Sequence, residues 1–105
     1  MEKVEEIVYQ EIRTDAWIKQ RELLYILHKQ YRMAISVTLL QTVIRRIRQA
    51  YKEGEVFDVV IKSCRGYKRS SDEAEITRFA KEMIQAGNSQ SEEGRTLLEV
   101  FHRRQ

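Results

Sequence analysis

The chain has 105 residues, of which 42% are hydrophobic and 33% charged, and its net charge is +3. This length suits one domain with one core. No apolar run approaches the roughly 20 residues that span a bilayer, so the sequence predicts no transmembrane segment. The acidic start of the chain does not resemble a signal peptide, and a single cysteine cannot form an internal disulfide. Both features favour a cytoplasmic protein.

The charge is distributed unevenly along the chain. Residues 1–16 carry two basic and five acidic side chains, residues 17–71 twelve basic and four acidic, and residues 72–105 five basic and seven acidic. A basic segment between acidic ends is typical of a protein that binds a polyanion. The alternative interpretation is a solvated basic face without a partner.

Two helices are predicted in the first third of the chain. A stripe of apolar residues at helical spacing predicts a first helix over residues 2–13. Residues 16–18 are too few for a helix and are predicted to form an extended bridge. A wider apolar arc predicts a second helix from Gln20 to Tyr31 and indicates that it is covered on more than one side.

A third helix is predicted over residues 36–53. Ser36 is a favourable N-cap, and Gly54 is well placed to end the helix. At about 100° per residue, the apolar face contains Leu40, Val43, Ile44, Ile47 and Tyr51. The opposite face is polar, and it lacks any acidic residue from Thr38 through Lys52, although exposed helices normally mix both signs of charge. This face is therefore a candidate surface for nucleic acid.

The spacing of apolar residues changes from 3.6 to 2 after the third helix. Residues 56–62 are predicted to form a half-buried strand, with Phe57, Val59 and Ile61 alternating with Asp58, Val60 and Lys62. A turn at 63–66 and a second strand at 67–70 complete a predicted β-hairpin.

Two further helices are predicted after the hairpin. Asp72 and Glu75 resemble a capping box at the start of a packing helix over residues 72–85. Residues 86–94 are predicted to be a linker, followed by a C-terminal helix over residues 95–105. Because a short helix is unstable unless it docks on something, this helix is predicted to pack on its own domain, on a partner or on a second copy of the chain.

The order of these elements resembles the winged helix-turn-helix family over residues 2–71. Three local features carry the resemblance: residues 34–38 before the third helix, the change from helix to strand at residues 52–57, and the Gly66-Tyr67 pair on the return strand. The layout is also similar to small winged-helix proteins of bacteriophages. The resemblance implies an α+β, mostly helical fold with a three-helix core and a β-hairpin wing in residues 1–71, followed by additional helices.

The polar face of the third helix and the wing supply the candidate binding residues. Arginine suits guanine, glutamine suits adenine, and threonine contacts the thymine methyl group. The residues predicted to reach base edges are Thr38, Gln41, Thr42 and Arg45. The residues predicted to contact phosphate are Arg46, Arg48, Gln49, Lys52, Lys62, Arg65, Lys68 and Arg69. The predicted function is sequence-specific binding of double-stranded DNA, by a transcriptional regulator or a phage-type DNA-transaction factor.

Other functions remain open at this stage. The winged-helix scaffold also serves as a protein-interaction module, so an inhibitor of host replication or transcription machinery is the second hypothesis. A homodimer would match the paired half-sites of many helix-turn-helix operators. The sequence contains no catalytic motif and no metal-ligand spacing, so neither an enzyme nor a cofactor is predicted.

Overall fold

The computed structural model describes residues 1–104, and for residues 88–90 it describes only the backbone. The described residues form five helices and one two-stranded antiparallel hairpin. The elements are α1 Lys3–Glu11, α2 Gln20–Tyr31, α3 Val37–Lys52, β1 Val59–Ser63, β2 Gly66–Ser70, α4 Glu73–Ala86 and α5 Asn88–Arg103. The prediction of a mostly helical α+β fold is confirmed. None of the helices in the described residues is long and apolar enough to cross a membrane.

The hairpin lies between two apolar clusters. Because successive side chains of a strand point to opposite faces, Val60 and Tyr67 pack in one cluster, whereas Val59 and Ile61 pack in the other. The first cluster also contains Ile12, which follows α1, and residues of the three N-terminal helices: Val8, Leu23, Leu27, Leu40, Val43, Ile44 and Ile47. The second contains residues of α4 and α5: Ile76, Phe79, Ala80, Leu97, Val100 and Phe101.

Helix α3 contributes to both clusters. The Ser36 hydroxyl accepts a hydrogen bond from the Leu39 amide (3.0 Å), as expected for an N-cap. The apolar stripe then begins in the first cluster and ends in the second, where Ala50 and Tyr51 are buried. Gly54 follows with a positive φ of 80°, which ends the helix as the sequence predicts. The polar face of α3 therefore points away from the apolar stripe, and Thr38, Gln41, Arg45 and Gln49 on it are exposed.

The hairpin is tied to the N-terminal half by an extended bridge at Ile18. The Ile18 and Tyr67 backbones exchange two hydrogen bonds, of 3.0 and 2.8 Å, and form an isolated β-bridge. This confirms the extended bridge predicted at residues 16–18. Gly66 permits the approach, because it has a φ of 115° and a Cβ there would lie 2.0 Å from the Ile18 carbonyl oxygen.

The predicted first strand requires a correction. The strand begins at Val59, and Val59, Val60 and Ile61 are all buried, so it is not half-buried as its alternation predicts. The reason is that the N-terminal helices cover Val60, on the hairpin face expected to meet solvent, while α4 and α5 cover Val59 and Ile61 on the opposite face. Phe57 was expected on the buried face, but it lies before the strand and is 71% exposed.

The boundaries at both ends of the chain also differ from prediction. Helix α1 ends at Glu11, because the backbone becomes extended at Ile12. The linker predicted at 86–94 is shorter, since α4 reaches Ala86 and α5 begins at Asn88. Gly94 lies within α5, where a Cβ would come within 2.6 Å of the Ala80 carbonyl oxygen. The glycine therefore allows close packing of α5 on α4. The predicted end at residue 105 lies outside the described residues.

Replacing Gly66 by alanine should destabilise the protein strongly. An alanine there combines an unfavourable positive φ with overlap of a backbone carbonyl, so we expect a loss of at least about 2 kcal/mol in the free energy of unfolding. Gly54→Ala is the matched control, because its φ is also positive but nothing lies within 4 Å of its Cβ position. Chemical denaturation measures both losses. Equal losses would show that the contact with Ile18 does not matter.

Candidate nucleic-acid interface

The outward face of α3 presents polar side chains to solvent. Thr38, Gln41 and Arg45 are exposed. Thr42 is half-buried, and its hydroxyl donates a hydrogen bond to the Thr38 carbonyl (3.1 Å). The side chains of Gln41 and Arg45 make no hydrogen bond to any other residue that the structure describes. Both therefore remain available to a ligand.

Gln41 and Arg45 line a groove between α3, the hairpin and the two C-terminal helices. We call it the α3–hairpin groove; its volume is about 740 Å³. The residues that line it are Gln41, Ile44, Arg45, Arg48, Lys62, Ser63, Tyr67, Phe79, Glu82, Met83 and Glu93. Two residues predicted to read bases and two predicted to contact phosphate, Arg48 and Lys62, thus share one groove.

Arg48 is half-buried at the edge of this groove. Its Nε donates a hydrogen bond to the Val60 carbonyl (2.8 Å), and its guanidinium lies 4.9 Å from the centre of the Phe79 ring. Burial lowers the pKa of Arg48, and the nearby charge of Glu93 opposes this shift. Arginine nevertheless stays charged in proteins. Arg48 therefore places a fixed positive charge beside the groove and also joins α3 to the hairpin and α4.

The four hairpin cations do not form one cluster. Lys62 is exposed in the groove, with its ammonium 5.7 Å from the centre of the Tyr67 ring. Arg65 is exposed in the turn at the hairpin tip. Lys68 points to the other face of the hairpin, where it binds Glu75 and lies over the Trp17 ring. Only Lys62 and Arg65 are exposed among these cations, so they are the better candidates for phosphate.

Arg69, which is predicted to contact phosphate, uses its side-chain donors within the protein. Its Nη1 donates to the Asp58 carboxylate (3.0 Å), and its Nε donates to the Ile12 carbonyl. Its guanidinium also stacks on Tyr9, 4.3 Å from the ring centre. The two side chains of the ion pair are only 20% and 12% exposed. Arg69 therefore connects the end of α1 to the hairpin, and its donors are directed inward.

The remaining predicted residues of α3 lie away from the groove. Arg46 and Gln49 face a separate cleft toward the N-terminus, which Glu2, Glu5, Glu53 and Glu55 also line. Gln49 donates a hydrogen bond to Glu53 (3.1 Å). Lys52 is half-buried in the last turn of α3. Acidic neighbours make the cleft at Arg46 and Gln49 a poor site for phosphate.

The sequence did not predict the four groove residues that the C-terminal helices supply: Phe79, Glu82, Met83 and Glu93. All four are far in sequence from α3. Phe79 belongs to the apolar stripe of α4, which indicates burial but not the partner. Nothing in the local pattern around the two glutamates indicates the groove, because their position depends on how α5 packs on α4.

No family model, curated protein or solved structure matches this chain. Within the described residues, no group of three His, Cys, Asp or Glu side chains could hold a metal ion. On the side of α3 and the hairpin, the groove offers guanidinium and ammonium groups, which suit anions, and an amide that can donate and accept hydrogen bonds.

Replacing Arg69 by methionine should reduce stability. The change leaves the largely buried Asp58 carboxylate without its cationic partner, with only the Tyr9 hydroxyl (3.5 Å), among the described residues, still donating to it, and we expect a loss of about 3 kcal/mol in the free energy of unfolding. Arg13→Met is the control, because the side chains of the Arg13–Asp15 pair are 67% and 64% exposed and its removal should change little. Thermal and urea denaturation measure the stability of both variants. A variant at Arg69 as stable as the control would contradict the internal role.

The Glu75 carboxylate should make stability depend on pH in the acidic range. Hydrogen bonds from Lys68 and from Ser70 lower the pKa of Glu75 from its ordinary value of 4.5. Because the pKa is lower in the folded state, this carboxylate stabilises the protein above pH 4.5, and the contribution is lost as pH falls through the lowered value.

Glu75→Gln should therefore make the free energy of unfolding fall less steeply with decreasing pH below 4.5. Urea denaturation at a series of pH values measures the slope. Glu73→Gln is the control, because Glu73 is an exposed residue of the same helix. If both variants have the same slope as the unmodified protein, the contacts of Glu75 do not contribute to stability.

Proposed function

We propose that this chain is a sequence-specific DNA-binding protein of the winged helix-turn-helix type. In this proposal α3 enters the major groove and the β-hairpin serves as the wing. The observation that carries it is the position of Gln41 and Arg45, which are exposed on α3 and share a groove with Lys62 of the hairpin. A helix with a buried apolar face and an exposed cationic face fits the width of the major groove.

The exposed residues divide into two roles. Arg45 suits the O6 and N7 acceptors of guanine, and Gln41 suits N6 and N7 of adenine. Thr38 and the methyl group of Thr42 are proposed to contact neighbouring bases. Lys62, Arg65 and Arg48 are proposed to contact phosphates, which position a protein on DNA without reading its sequence. Such a protein would act as a transcriptional regulator or a phage-type DNA-transaction factor.

The proposal predicts different effects for Arg45 and Lys62. After a binding site is selected from a random library, Arg45→Ala should cost about 1–3 kcal/mol in binding and relax discrimination at one base pair. Lys62→Ala should weaken binding to all sequences alike and reduce the salt slope by about 1. Fluorescence anisotropy at several salt concentrations measures both effects.

Lys81→Ala is the matched control for Lys62, since Lys81 is exposed on the outer side of α4, outside the α3–hairpin groove. It should leave the affinity at moderate salt nearly unchanged. If the control weakens binding as much as Lys62→Ala does, the hairpin does not contact DNA specifically.

A second candidate function is a protein-interaction module or an inhibitor that binds a component of replication or transcription machinery. Exposed apolar side chains favour it: Tyr25 is 60% exposed, Val37 41%, Leu39 43% and Phe57 71%. A mobility-shift experiment with random-sequence duplex at low salt discriminates the two, because a phosphate-binding surface retards any duplex under those conditions. No retardation would exclude the DNA-binding proposal.

A homodimer remains a prediction that sedimentation can test. The apolar residues of the C-terminal helix that could have formed its seam belong instead to the second cluster of the same chain, where Leu97, Val100 and Phe101 are buried and Leu98 is partly buried. A second copy would therefore have to bind elsewhere on the surface.

A further inference from the structure

The two sides of the α3–hairpin groove carry opposite charges. Arg45, Arg48 and Lys62 supply positive charge from α3 and the hairpin, whereas Glu82 of α4 and Glu93 of α5 face the same space. A polyanion that approaches the cations must therefore also approach two carboxylates. Carboxylates repel phosphate, so their presence in a groove that is proposed to bind phosphate has a consequence for affinity.

Glu93 owes its position to the packing of α5 on α4. The next residue, Gly94, is buried and has no side chain, so α5 can lie against the backbone of Ala80. Glu93 is half-buried as a result. Burial lowers the pKa of Arg48, and the charge of Glu93 acts in the opposite direction with a smaller effect. Among the described residues, no cation lies within 4 Å of Glu93 in an ion pair. The effect of Glu93 on Arg48 is therefore a longer-range electrostatic one.

Glu82 contributes less than Glu93 to the field in the groove. Its carboxylate lies 3.5 Å from the Arg78 guanidinium, in an exposed pair one helical turn apart. The positive charge of Arg78 offsets part of its charge at a distance, and solvent screens the remainder. Glu93 is therefore the acidic residue whose removal should matter most.

We propose that Glu93, with a smaller contribution from Glu82, competes with phosphate for the cations of the α3–hairpin groove and so lowers the affinity for DNA of any sequence. The inference rests on the proposed DNA-binding function. Like charges placed together across an interface weaken association. The effect on binding should not depend on sequence, because phosphates are the same at every base pair.

The test compares Glu93→Gln with Glu92→Gln. Both variants remove one negative charge from adjacent positions of α5, and glutamine and glutamate have similar helix propensities. Glu92 is exposed and does not line the groove, so the pair separates a local effect from a change in net charge. Binding of a random-sequence duplex is measured by anisotropy at low and moderate salt.

A second readout does not involve DNA. Inorganic pyrophosphate is titrated into each protein, and the backbone amide signals of Gln41 and Lys62 are followed by NMR. Glu93→Gln should bind pyrophosphate more tightly than the unmodified protein does, whereas Glu92→Gln should not. The duplex affinity should rise by about 3- to 10-fold for Glu93→Gln at low salt, and the gain should shrink as salt screens the charges.

The outcomes separate the two proposals. If no variant retards duplex DNA at low salt, the proposed function is wrong. The proposed competition between Glu93 and phosphate is wrong if Glu93→Gln and Glu92→Gln change the affinity for pyrophosphate equally. It is also wrong if the amide signals of Gln41 and Lys62 do not shift on addition of pyrophosphate to either variant. A further gain on adding Glu82→Gln to Glu93→Gln, smaller than the first, is the expected result for the double variant. A double variant that binds pyrophosphate no better than the unmodified protein would overturn the inference.

Discussion

The arrangement of this molecule depends on burying both faces of one short hairpin. A two-stranded hairpin is at best marginally stable alone in water, so its geometry must come from what packs against it. Here Val60 and Tyr67 are held by the N-terminal helices, and Val59 and Ile61 by α4 and α5. Because adjacent side chains are anchored in opposite directions, the hairpin cannot tilt without exposing apolar surface on one side. The backbone of Lys62, which follows Ile61 in the strand, is therefore held beside α3, and its exposed side chain lines the groove.

Fewer of the basic side chains in residues 17–71 are available to a ligand than the sequence alone indicates. Arg48 and Arg69 both donate to backbone carbonyls and stack on aromatic rings, and Lys68 is paired with Glu75. Arginine suits such internal roles because its planar group can stack and donate in several directions at once. The basic segment thus performs two tasks, since some of its cations join structural elements and others face solvent. Counting charges along the chain does not separate them.

Features set by neighbouring residues could be predicted from the sequence, whereas features set by distant contacts could not. The bounds of α2, the cap at Ser36 and the outward face of α3 follow from local preferences and helical spacing. The buried role of Arg69 could not be predicted, because it depends on Asp58 and on the end of α1. The packing role of Gly94 could not be predicted for the same reason: a glycine in a polar stretch is typical of a linker, and only the proximity of Ala80 reveals a packing contact.

The C-terminal helices combine two effects that cannot be separated by truncation. Leu97, Val100 and Phe101 complete the cluster that covers Val59 and Ile61, so removing α5 would expose one face of the hairpin and disturb the groove itself. The same helix positions Glu93 against the groove cations. Any gain in anion binding from losing the carboxylate would then be hidden by the loss of structure. The effect of the charge is therefore better measured by changing only the charge of Glu93, whose side chain contributes little to the apolar cluster. Such a change shows how strongly the C-terminal helices affect anion binding at the surface formed by α3 and the hairpin.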